Sequence, residues 1–263
     1  GPLTKVKRLS YAELVGPKKV EWFVSHFWGG QFQHFCSSLR KHAESVCGPD
    51  AWKRSTYWIC FLSNNQYRLT EELGSSVMES SFFLALQYRS NHGVCMVLDD
   101  LAMPLTRSWC IFELCETLRL ERSTEGFRGL LLCTTGGVLN LGQGSVEVAM
   151  NLAERIATLD LEKAQASCAK DKEMINAQVI KELGSFEAMN RLVRHKMHDI
   201  LLKAHEHAND SFGRLFALLN SRMSTIGGAD PGGEGAADAE GCDANDGSAG
   251  QWGLLPDGLK VQL

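Results

Sequence analysis

"VEWFVSHFWGGQFQHFCSSLRKH", residues 20–42, decides how the chain folds. Its first six residues are β-branched or aromatic except for Glu21 and Ser25, the composition of a buried strand. The strand runs out at Gly29 and Gly30. The continuation "QFQHFCSSLRKHAESV" sets Phe32, Phe35, Cys36 and Leu39 at helical spacing. The unit is thus strand, glycine loop, helix. Further apolar strands are expected at "TYWICFLS" (56–63), "GVCMVLD" (93–99) and "FRGLLLCT" (127–134), with "TLDLE" (158–162) a weaker fifth. Between them lie a polar loop over 64–80, a short helix over 81–89, a loop over 99–107, and helices at 108–118 and 145–157.

Continuous apolar strands alternating with helices imply an α/β fold: a flavodoxin-like, doubly wound parallel sheet of five strands over residues 20–162. Residues 1–19 lead into it. From 163 to 225 the pattern turns wholly helical, with long amphipathic stretches at 162–183 and 186–208 and a shorter one near 211–223, read as a helical extension packed on the sheet. From 226 the composition changes to Gly, Ala and Asp. That segment buries too little apolar surface to offset its ordering entropy, so a disordered tail is expected. Trp252, Leu254 and Leu255 stand out in it as a sticky end.

The formal charge of −4 is unevenly spread. Seven acids against Lys260 give residues 226–263 a charge of −6, which leaves the first 225 residues near neutral at +2. No basic surface for nucleic acid is expected. The apolar runs fall well short of the roughly 20 residues that span a bilayer, so no membrane partner is expected either. Nine cysteines occur singly, mostly inside apolar runs and without a CxxC pair. They read as buried thiols in a reducing, cytoplasmic setting, with neither a disulfide framework nor a metal site. No signal-peptide pattern is visible, and the chain starts Gly-Pro and not Met, as an excised fragment or a chain with a cloning remnant would.

In a doubly wound sheet, ligands bind beyond the carboxyl ends of the strands, where loops 26–31, 64–80 and 99–107 meet. The helix that follows the last of these, "SWCIFELCETL" (108–118), carries two stripes. Ile111, Leu114, Cys115 and Leu118 form a core-facing one. Trp109, Phe112, Glu113 and Glu116 form the other, which sets a carboxylate one turn after an indole.

"VEWFVSHFWGG", "VCMVLD" and above all "SWCIFEL" resemble the Toll/interleukin-1 receptor (TIR) domain, over about residues 20–160. With "NNQ", "PLTRSWCIFE" and the downstream helices, the chain also resembles the divergent TIR-like proteins of unicellular eukaryotes, to about residue 220. The resemblance implies one of two functions in signalling or defence. Some TIR domains cleave the nicotinamide–ribose bond of NAD+, which is then a substrate and not a cofactor. Others only assemble complexes by self-association or with other TIR-like domains. In the enzymes an essential glutamate of this helix matches Glu113, and the tryptophan a turn before it matches Trp109. By position, His26, Phe27, Trp28 and Gly29 after the first strand would touch the nucleotide. The loop 64–80 departs from the family's own, and "HFWGG" lacks its basic residues.

The chemistry suits those residue types. Leaving nicotinamide is a cationic pyridinium before cleavage, so a single carboxylate near the developing ribosyl cation suffices, with no general acid. An aromatic wall strengthens that effect by excluding water. Against this stands the plainer reading of Glu113 as a solvated residue paired with Arg107 or Arg119; Glu116 reads as a surface residue. Asn64, Asn65 and Gln66 either read a ligand's polar edge, with Asn64 the first candidate, or close a turn. Asp99 and Asp100 read as helix caps. A phosphoryl-accepting receiver could use Asp99, but it lacks an acidic cluster after the first strand and a lysine at the fifth.

Overall fold

The computed structural model of the chain describes residues 2–16, 18–226 and 260–261. The strands are β1 (Trp22–His26), β2 (Thr56–Ile59), β3 (Val94–Val97), β4 (Leu130–Thr134), β5 (Gly137–Val138) and β6 (Lys260–Val261). Before β2 come helices α1 (Pro2–Lys5), α2 (Tyr11–Val15) and α3 (Phe32–Cys47). Between β2 and β3 lie α4 (Cys60–Ser63), α5 (Leu69–Leu73) and α6 (Ser81–Leu86), and between β3 and β4 lies α7 (Ser108–Ser123). The helices α8 (Val146–Thr158), α9 (Ala169–Leu183) and α10 (Phe186–Ile226) follow.

The fold is α/β. One sheet has the order β5-β4-β3-β1-β2-β6, parallel everywhere except at the β4–β5 hairpin. Alternation along the strands divides two apolar layers. Trp22, Val24, Tyr57, Ile59, Cys95 and Cys133 pack against Phe35, Leu39 and Ala43 of α3. Phe23, Trp58, Val94, Met96 and Leu132 face the other layer, which includes α6, α7 and α8. Both faces are covered, so the strands carry no polar stripe.

The expected fifth strand at 158–162 does not form. Asp160 instead caps a short 3-10 turn, Leu161–Lys163, by accepting from the Glu162 amide at 3.2 Å. The Leu161 amide donates to Asn190 Oδ1 at 3.1 Å and is lost to any ladder. The strand beside β4 is β5, formed where the "TGG" turn folds the chain back. The second strand is also shorter than expected, because Cys60–Ser63 winds into α4 and Ser63 Oγ accepts from the Ile59 amide. Residues 186–226 make one continuous helix where two were expected. Ile175, Val179, Met189, Met197 and Ile200 of α9 and α10 belong to the same apolar cluster as the sheet. The expected disordered tail falls outside the described residues except at Lys260–Val261, which pairs with Thr56 and Tyr57 as a parallel edge. Among the described residues no helix is long and apolar enough to cross a membrane.

Helix α7 is enclosed on nearly every side, buried at each residue from Cys110 to Leu118. That corrects the reading of Glu116 as a surface residue. Its carboxylate is fully buried, receives Arg119 Nε at 2.8 Å and Gln178 Nε2 at 3.1 Å, and so ties α7 to α9. Glu116→Ala should cost about 2–3 kcal/mol in chemical denaturation, because it leaves half-buried Arg119 unpaired and removes one of the two acceptors of the buried Gln178 amide. Glu187→Ala, which breaks the exposed pair with Arg191, should cost no more than about 0.5 kcal/mol. Equal losses would refute the cross-helix role.

Candidate functional site

The carboxyl ends of β1 and β2, the first two turns of α7 and the segment entering α9 enclose a cavity of about 460 Å³. The leading site candidates of the sequence line it, Glu113, Trp109, His26, Phe27, Trp28, Gly29 and Asn64, as does Gln66, whereas Asn65 does not. The fold therefore gathers residues spread over 88 positions into one hollow, from Gly/His-rich loop to helix.

Glu113 has 4% exposure and no ion pair among the described residues. Of the two partners expected in the plainer reading, Arg119 is taken by Glu116, and Arg107 forms no ion pair with Glu113 among the described residues. Burial pushes the Glu113 carboxyl up to about 8. Among the described residues, neither Ser25 Oγ nor Glu113 Oε2 has a hydrogen-bond partner. His26 Nδ1 and Asn64 Oδ1 are likewise buried without partners. Four orphaned polar atoms around one end of the sheet are unusual in a folded chain, where buried polar groups are nearly always satisfied. They are groups that a polar ligand or bound water would satisfy.

The walls are aromatic. Trp109 stacks on Phe82 with centroids 4.9 Å apart and donates Nε1 to Asp171 Oδ2 at 3.2 Å. Trp28 is 61% exposed at the rim, with Nε1 3.0 Å from Cys60 Sγ. The His26 ring packs between Phe35 and Phe61, at 4.9 and 5.2 Å, and burial lowers its pKa to about 4. A neutral imidazole is thus kept at the end of β1. A Cβ at Gly29 would meet the Phe27 ring at 2.5 Å, so a larger residue there would have to displace that ring.

The neighbouring loops divide their tasks. Of "NNQ", Asn65 closes the turn, accepting from the Tyr67 amide at 3.0 Å, which leaves Asn64 free to face the hollow. Asp99 Oδ1 accepts from the Met103 amide at 2.8 Å and caps the turn before α7. The start of α7 is then clamped by the segment ahead of α9. Ser108 donates its amide to Gln165 O at 2.9 Å and its hydroxyl to Ala164 O at 3.1 Å.

Residues that the sequence did not single out complete the site. Arg107 lines it beside Gln165, Ser167 and Asp171 from the approach to α9, and Cys60 and Cys110 close its floor. Asp171 lies 62 positions beyond the indole it holds, a separation at which no spacing rule operates. Comparison with protein-family models, curated proteins and solved structures gives no match.

The desolvated carboxyl has a pH signature. From about pH 4.5 to about 8 the folded chain holds a proton that the unfolded chain has released, so this group makes stability fall as pH rises through that window. Glu113→Gln removes the penalty. Its melting temperature should match the wild type near the bottom of the window and exceed it by about 5 °C or more above the top. A difference that stays constant with pH would show that Glu113 does not titrate there.

Proposed function

We propose that the chain is a TIR-like protein on a flavodoxin-like sheet, and that its cavity is the site of an NAD+ glycohydrolase acting in signalling or defence. The central order β2-β1-β3-β4 is that of a flavodoxin-like sheet, which supports the scaffold. The observation that carries the activity is Glu113, buried and without an ion pair, in one hollow with Trp109 and the His26–Gly29 loop.

In the proposed reaction the bond between ribose C1′ and the pyridinium nitrogen breaks, and nicotinamide leaves with the electron pair. Water adds to C1′ and loses a proton. Glu113 stabilises the positive charge that spreads over the ribose as the bond stretches, an effect enlarged by exclusion of water. A cationic pyridinium in the hollow itself favours the ionised carboxyl, offsetting part of the burial that holds Glu113 protonated. Trp109, backed by Phe82 and tethered to Asp171, offers a flat wall for a planar ring. His26, being neutral, adds no repelling charge.

Nicotinamide release from NAD+, followed at high protein concentration, tests this reading. Glu113→Gln should lower kcat by about 10²-fold or more. In the wild type kcat/KM should rise with pH and level off near 8, since the working form is the carboxylate. Turnover unaffected by Glu113→Gln, or none between neutral pH and 9, refutes the enzyme.

One observation favours the second reading, a non-catalytic association module. Phe212, Leu215, Phe216 and Leu219 form an exposed apolar stripe at i, i+3, i+4, i+7 spacing on the far half of α10. Under that reading a Leu215→Asp, Phe216→Asp chain should sediment as a monomer where the wild type associates.

A further inference from the structure

On the opposite face of the sheet from Glu113, three ligating side chains meet in the α3 layer. His42 comes from α3, Cys95 from β3 and Cys133 from β4. One imidazole nitrogen and the two Sγ atoms all lie within 4.8 Å of one another, and the sulfurs are 3.1 Å apart. All three residues have zero exposure. His42 Nδ1 is engaged with the Tyr57 hydroxyl at 2.8 Å, and Nε2 has no partner among the described residues. We propose that His42, Cys95 and Cys133 form a binding site for a single soft d10 cation, Zn(II) or Cu(I).

Four features support it. Bond lengths of about 2.3 Å to sulfur and 2.0–2.1 Å to nitrogen put ligand atoms roughly 3.5–3.8 Å apart around such an ion. The sulfurs need to open by under about 1 Å, a rotamer-scale adjustment. A soft thiolate pair with one imidazole is the donor set that Zn(II) and Cu(I) prefer over hard cations. Two thiolates neutralise Zn(II) fully, so a zinc-loaded site adds no net charge to an apolar layer, whereas a Cu(I) site carries one negative charge. The bond to Tyr57 fixes the ring: with Nδ1–H donating to the phenol oxygen, Nε2 carries the free lone pair, the usual outer support of a metal-bound histidine. Trp22 packs edge-on against the same ring at 4.6 Å.

Each cysteine enters the coordination of the ion as a thiolate. Binding therefore releases two protons to solvent as two metal–sulfur bonds form. Because the ligands are enclosed, loading accompanies folding.

The test is metal analysis of the full chain expressed in zinc-supplemented and in copper-supplemented medium, then dialysed against a chelator. About one equivalent of Zn or Cu per chain is expected, and the medium that yields it identifies the ion. Cys133→Ser and His42→Gln should hold about a tenth of that or less, whereas Cys36→Ser, a buried thiol outside the cluster, should hold it all. The exposed His195, His198 and Asp199 offer an adventitious surface site, and full retention by a His195→Ala, His198→Ala chain excludes it. Where the ligand variants do not fold, cobalt-grown wild type decides, since ligation by Cys95 and Cys133 gives a thiolate-to-cobalt charge-transfer band. A folded chain free of metal from both media, or bound cobalt without that band, overturns the site.

Discussion

Helix α7 has no solvent face over most of its length, and the rest of the molecule is arranged around that enclosure. It packs on the sheet through Ile111, Leu114 and Leu118, while α6 and α9 cover its remaining sides. Two carboxyl groups one turn apart are carried inward with it, and each meets burial differently. Glu116 is satisfied by Arg119 and Gln178 and joins two helices. Glu113 receives no cation among the described residues, and burial raises its carboxyl to about 8. A buried acid without a counter-ion is costly unless it stays protonated. The fold supports that cost because the helix on either side of it is fully packed.

The clamp at the start of α7 links the helical segments to the hollow. Ser108 is bonded to Ala164 and Gln165, and the indole of Trp109 to Asp171. Residues 163–171 thus act as part of the wall and do not merely pack behind it. Any shift of α9 would move the aromatic face and the carboxyl together, since both are fixed to one rigid helix. The opposite layer is built differently. There α3 covers Cys95 and Cys133 with His42, and the polar groups face one another inside an apolar surround.

Much of the scaffold was legible before any coordinates. Apolar runs at β1, β3 and β4 could be read from composition because strands covered on both faces need side chains of one kind. The candidate residues Glu113, Trp109, His26–Gly29 and Asn64 were legible from their places at strand ends and on one helical stripe, and they do line one hollow. The misread elements share a cause. Leu159 and Leu161 looked like a strand, but Asp160 and Asn190 took the backbone donors that a ladder would need. Glu116 looked like a surface acid because a stripe analysis assumes that a helix has one wet side.

What the sequence determined by itself was the alternation of apolar strands and helices, and with it which residues end up at the carboxyl edge of the sheet. These are local properties, set by side-chain period and turn chemistry. Tertiary structure alone decided which acid would be paired, that Asp171 would hold Trp109, and that His42, Cys95 and Cys133 would meet. Each of those depends on contacts between segments 38 to 91 positions apart or on competition for one guanidinium. Local patterns carry no record of such distances; they are set when the layers close around α7 and α3.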